Sequence, residues 1–188
     1  MSHDLTSVKI ATLVAAGSKQ DQVLDSQEFL HQAGATFTTV SAAAENLPKT
    51  GKAGKSLAIV AVETADETGF DALLVPGGQA SADNLCRNPA AIKFVRSFLV
   101  ASKPIGAVAD GVKGLVAAGG IAGRQLAADP RLRDSIEKAG GVWIDKPIAT
   151  DRDLVTAADI QSMEPFLQAF ALSCTQHKAG SGASLHTD

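Results

Sequence analysis

Apolar residues along this chain arrive in short unbroken runs separated by segments that repeat with helical spacing. VKIATLVA (8–15) is apolar at nearly every position, as expected of a parallel strand covered on both faces. A loop, GSKQD, leads into a helix predicted to run to about Ala33 and to stop at Gly34, a residue suited to a helix C-terminus. TFTTVS (36–41), LAIVAVE (57–63) and ALLVPGG (72–78) read as further strands, the last broken by Pro-Gly-Gly, with residues 42–56 as an irregular excursion or weak hairpin between them.

The second half repeats the alternation. Asn88-Pro89 is a helix start signal, followed by Ile92, Val95 and Leu99 at helical spacing. KPIGAVADGVKGL (103–115) reads as a strand over Ile105–Val108 that turns tightly into a helix beginning near Gly111. Asp129 and Pro130 open another helix, with Leu132, Ile136 and Ala139 on its apolar face and Gly140 at its end. KPIATDRDLVTA (146–157) predicts a hairpin turning at Asp151-Arg152-Asp153, and Ile160, Met163, Leu167 and Phe170 form the stripe of a last helix. Residues 1–7 are expected to be flexible and 174–188 disordered, because neither has the apolar residues to dock.

Alternating strands and helices imply one α/β domain over 8–173, a doubly wound, mostly parallel sheet sandwiched by helices. Ligands of such sheets sit beyond the carboxyl ends of the strands, where strand order reverses. AAGSKQDQ, PGGQAS and ADGVKG end strands there and are the candidate walls of a pocket.

Composition then narrows the partners. At 188 residues the chain can bury about 70% of its unfolded surface in one core. Seventeen basic against twenty acidic residues, a net charge of −3, supply no concentrated basic face for nucleic acid. No apolar run reaches the roughly 20 residues of a membrane span, and the N-terminus lacks the pattern of a secretory signal, so a cytoplasmic protein is expected. Cys86 and Cys174 cannot build a disulfide framework. With the scattered His3, His31, His177 and His186 they match no metal pattern, and no metal or cofactor is expected.

The segments KIATLVAAG, DALLVPGG, NPAAIKFVRSF, KPIGAVADG, DPRLRDSIEKAGGVWID and DLVTAADIQSMEPFLQAF, in that order, resemble the ThiJ/PfpI superfamily, relatives of the class I glutamine amidotransferases. The resemblance spans about residues 8–172. It implies a flavodoxin-like fold and a homo-oligomer. Catalytic members of that group keep an acidic residue after the first strand, a PGG turn and a Cys-His-Gly elbow. Here those positions fall on Gln22, on Gly77 and Gly78, and on Ala109, Asp110 and Gly111. Only the glycines carry over. A family thiol works as a thiolate at a helix N-terminus, and Ala109 has no attacking atom; Gln22 has no proton to exchange.

A shorter likeness, in KPIGAVAD, is to the C-terminal domain of large-subunit catalases, which also lacks the cysteine. Two readings follow. One is a stress-related or catalase-associated domain that oligomerises or binds a small ligand without catalysis. The other is a hydrolase, lyase or glyoxal-handling enzyme that uses Asp110 with backbone donors from the PGG turn. Asp110 is also suited to capping the following helix. Ser18, Lys19, Asp21 and Lys113 are candidate pocket-lining residues or plain surface. Cys86 offers a third, redox-sensing role, and Trp143 is expected to pack in the core or at an interface.

Overall fold

The structure, a computed structural model, describes residues 4–42 and 59–183. Five parallel strands follow the predicted apolar runs: β1 (Lys9–Val14), β2 (Thr36–Ser41), β3 (Ile59–Ala61), β4 (Ala72–Val75) and β5 (Ile105–Val108). The hairpin forms β8 (Ile148–Asp151) and β9 (Leu154–Ala157), and it turns at Arg152, which adopts a positive φ of 55°. Sheet order is β3-β2-β1-β4-β5-β9-β8, parallel throughout except for β8 against β9. The chain thus steps outward from β1 to β3 and returns across β1 to β4. Between β1 and β4 the order reverses.

Alternate residues of the central strands serve two cores, which is why their sequences carry no polar face. Ala11, Leu13, Leu73 and Val75 pack under α3 (Pro89–Val100) and α4 (Val112–Ala118), against Phe94, Phe98 and Leu115. Ile10, Ala72 and Leu74 pack on the opposite face under α1 (Gln20–Gln32) and α6 (Met163–Ala183), against Leu30, Phe166 and Phe170. The start signal of α3 acts as read: Asn88 accepts hydrogen bonds from the backbone N–H groups of Ala90 and Ala91. Its buried face, however, is Ala91, Phe94, Val95 and Phe98, with Ile92 and Leu99 at the margin. The two phenyl rings occupy the centre because they fill the space over β4 and β5.

Two short strands were not foreseen, and a helix precedes them. The turn after β4 opens α2 (Gln79–Arg87). A separate two-stranded parallel sheet pairs β6 (Gln125–Ala127) with β7 (Val142–Ile144), joined by α5 (Arg133–Lys138). Asp129 caps the turn before α5, accepting from the Arg131 N–H, and Trp143 donates its indole N–H to the Ala128 carbonyl.

The described parts of both expected floppy ends, residues 4–7 and 174–183, are ordered. Leu5 is fully buried in the α1/α6 core, and its N–H bonds to the Ala33 carbonyl, so the chain is docked from Asp4 onward. The last helix does not stop near Cys174 but runs to Ala183. Ala171 and Cys174 continue the buried stripe begun by Phe166, Leu167 and Phe170, and Lys178 hydrogen-bonds the Thr6 carbonyl. Ile160, expected on that stripe, is exposed in the turn before the helix. The excursion read over 42–56 lies, beyond Ala42, outside the described residues. Among the described residues no helix is long and apolar enough to cross a membrane.

Candidate active site at the strand–helix elbow

The elbow sits at the carboxyl end of β5, beside the point where strand order reverses. Ala109 leaves the strand with φ +49°, a left-handed conformation that an alanine seldom takes, and residues 109–111 form one tight helical turn before α4. The backbone strain of a nucleophile elbow is present. The nucleophile is not.

Why the glycines are needed can be read from what surrounds them. A side chain at Gly111 would place its Cβ 2.5 Å from the Val75 carbonyl oxygen and 2.8 Å from that of Pro76. Gly111 is therefore wedged beneath the chain leaving β4. Gly78 has φ +123°, and a Cβ there would meet the Gly17 carbonyl at 3.0 Å. Gly77 faces the elbow itself: its Cβ would lie 3.2 Å from the Val108 carbonyl, 3.5 Å from the Ala109 Cβ and 3.6 Å from Gln22 Oε1. The PGG turn lets three strand ends approach one another.

Of the six residues singled out in the sequence, Gln22, Gly77 and Ala109 meet at one point. Gly78 lies toward the loop after β1. Gln22, in the first turn of α1, directs its Oε1 into this junction, where the atom is buried and accepts no hydrogen bond. That is an acceptor held ready and unmet.

Asp110 turns elsewhere. No side chain caps α4, so the expected capping role is corrected: with residues 109–111 already helical, the Asp110 carboxylate lies beside the helix rather than beneath its free N–H groups. It stands 3.7 Å from Lys113 Nζ, one turn on, and no hydrogen bond joins it to Gln22. Lys113 in turn donates to Asp83 of α2 at 2.9 Å. Lys113 thus ties the elbow to α2, a link the Asp110–Lys113 spacing of three hinted at and the unremarked Asp83 completes.

The remaining candidates are structural or remote. Ser18 Oγ hydrogen-bonds with Ser81 Oγ at 2.7 Å and donates to the Ala15 carbonyl at 2.9 Å, closing the loop after β1. Lys19 and Asp21 are exposed. His31 lies exposed near the end of α1, its Nδ1 3.1 Å from the Ala35 carbonyl oxygen. Cys86 is half-buried on α2, and burial pushes its thiol up; the Lys113 charge opposes this and Asp83 adds to it. Burial pushes the thiol of Cys174 up much further, with the charge of Asp71 adding to it. Neither is prepared as a thiolate. Among the described residues no group of His, Cys, Asp and Glu is placed to hold a metal ion.

Comparisons with known proteins agree with this architecture. Residues 8–172 match the DJ-1/PfpI family. Protein/nucleic acid deglycase 2 of Escherichia coli is 29% identical over 163 residues, covering 85% of this chain and 94% of that protein. Deglycase TK1284 of Thermococcus kodakarensis is 28% identical over 122 residues, 64% of this chain and 73% of its own. Among solved structures, Schizosaccharomyces pombe DJ-1 superposes with a TM-score of 0.69 at 19% identity, over 96% of this chain and all of that one. By its matched residues and by the sheet that carries its elbow, the chain belongs to the DJ-1/PfpI family.

Proposed function

We propose that the elbow of this protein binds a small ligand through Gln22, Gly77 and the backbone around Ala109, and carries out no thiol chemistry. One observation carries the reading. At the strained apex stands a methyl group, and the buried Oε1 of Gln22 beside it lacks a partner. An unmet buried acceptor costs about 1–3 kcal/mol, which a ligand hydroxyl or N–H would relieve. The reading includes self-association of the domain, to be measured by sedimentation equilibrium.

A second reading takes support from the relatives. Two of the three named above are called deglycases, one of them aligned over nearly its whole length. The names favour an enzyme more than a binding domain. In this reading Asp110 acts as general base, oriented by Lys113 at 3.7 Å, while backbone N–H groups of the PGG turn steady the developing oxyanion.

One experiment separates the two. Purified protein is incubated with methylglyoxal and with methylglyoxal-treated amino acids, beside the Asp110→Asn variant. On the binding reading neither protein consumes substrate above the buffer rate. Consumption by the wild type that disappears in Asp110→Asn establishes the enzyme reading.

A further inference from the structure

A cavity of about 700 Å³, with none of the elbow residues in its lining, lies at the carboxyl ends of β1, β2 and β3. Ala15, just past β1, and Ala42, just past β2, give it an apolar wall. Glu63, past β3, and Asn84, Arg87 and Asn88, where α2 meets α3, give it polar ones. Such a position beyond strand ends is where open α/β sheets receive ligands.

Three of its polar groups are held by hydrogen bonds. Asn84 is fixed by donating to the Ala16 carbonyl at 3.0 Å. Asn88 is fixed twice: its oxygen caps α3, and its Nδ2 donates to Glu63 Oε1 at 3.2 Å. Glu63 is thereby oriented without being neutralised. Arg87 has no ion-pair partner among the described residues, and no ion pair joins it to Glu63 although both border the same cavity. Two opposite charges that border one cavity, neither with an ion-pair partner among the described residues, fit a molecule that carries both charges itself. A guanidinium grips a carboxylate through two parallel N–H bonds, and a carboxylate accepts from an ammonium.

We propose that this cavity is a binding site for a free α-amino acid, its carboxylate on Arg87, its ammonium on Glu63 and an aliphatic side chain against Ala15 and Ala42. The site is separate from the elbow and does not depend on whether the elbow is catalytic.

The test uses the whole chain, labelled with ¹⁵N, titrated with L-leucine. Two truncated probes keep one charge each: 4-methylpentanoate and 3-methylbutylamine. Saturable shifts of the Asn84 and Asn88 side-chain amides are expected with leucine, and each single-charge probe should bind about tenfold or more weakly. Arg87→Met and Glu63→Gln, both on exposed side chains, should each weaken leucine by about tenfold while leaving the rest of the spectrum in place. The proposal is overturned if leucine gives no saturable shift, if either probe equals leucine, or if either variant binds as the wild type does.

Discussion

Gln22 and Ala109, far apart in sequence, converge on one glycine: Gln22 Oε1 lies 3.6 Å, and the Ala109 methyl 3.5 Å, from where a side chain at Gly77 would begin. A carboxamide oxygen and a methyl group are thereby held side by side, at the positions onto which the resemblance carries a carboxyl group and a thiol. The glycines here are requirements of packing, since a Cβ at Gly111 or Gly78 would meet backbone at 3.0 Å or less.

Restoring the thiol should therefore need one substitution. Ala109 already holds its strained φ, so Ala109→Cys introduces no new backbone cost and should change stability by less than about 1 kcal/mol. At pH 7 iodoacetamide should modify the introduced thiol about tenfold or more faster than Cys86, and the rate should respond again when Gln22→Glu is added. Mass spectrometry of the alkylated protein gives both rates. Equal labelling of the two sites would show that the elbow no longer prepares a nucleophile.

Three glycine-to-alanine variants should separate in stability by what a methyl group meets. Gly111→Ala drives a Cβ to 2.5 Å from a backbone oxygen that cannot swing aside, and should cost about 3 kcal/mol. Gly106→Ala meets Phe166 at 2.9 Å and Phe170 at 3.0 Å, rings that can shift, and should cost about 1–2 kcal/mol. Gly114→Ala, within α4, meets nothing within 4 Å and should be neutral or gain up to about 1 kcal/mol from helix propensity. Urea denaturation of the set checks the order; a Gly111→Ala protein as stable as the wild type would contradict the wedge described for that residue.

The two native cysteines should be poor sensors. Cys174 is 3% exposed, and its thiol lies well above the ordinary range, so it should resist alkylation until the protein unfolds. Cys86, half-buried with its thiol pushed up by burial, should react slowly at pH 7 and faster as the pH rises. Mild peroxide should leave both reduced. Selective oxidation of Cys86 under those conditions would restore the redox-sensing role.

What the sequence conveyed well was the part of the fold that is written locally. Continuous apolar runs marked the strands buried on both faces, and Asn88-Pro89 and Asp129 announced helix starts that the hydrogen bonds supply. β6 and β7 were missed because three-residue strands such as Gln125–Ala127 carry too few alternations to register. The extension of α6 was missed because Cys174 continues an apolar stripe within a stretch that is polar on average. At the elbow, the resemblance to the family's motif placed Gln22 beside the glycines. It could not show where Asp110 turns, since that depends on Lys113 and, through it, on Asp83 of the neighbouring α2.

Arg124 should be the side chain whose loss most clearly couples the small sheet to the large one. It is 7% exposed; its Nε lies 3.2 Å from Asp151 Oδ1 and its Nη2 2.8 Å from Asp153 Oδ1, while Asp151 Oδ2 also accepts from the Gln125 N–H at 2.7 Å. The start of β6 is thus clasped to the β8–β9 hairpin. Arg124→Met leaves the mostly buried Asp153 without its cation and Asp151 with only the exposed Arg152, and should cost about 3 kcal/mol at pH 7. Burial alone would raise the Asp151 carboxyl. The hydrogen bonds from Gln125 and Arg152, with the charges of Arg124 and Arg152, outweigh it and hold the group below its ordinary 3.8. Such a group stabilises the fold above about pH 4, and that contribution is lost as the pH falls through its lowered value. The penalty for Arg124→Met should therefore be smaller at pH 3 than at pH 7, because the Asp151 carboxyl begins to take up a proton as the pH falls and then requires the guanidinium less. Urea denaturation at the two pH values measures it, and a penalty of the same size at both would mean that packing of the arginine stem, not its charge, holds the two sheets together.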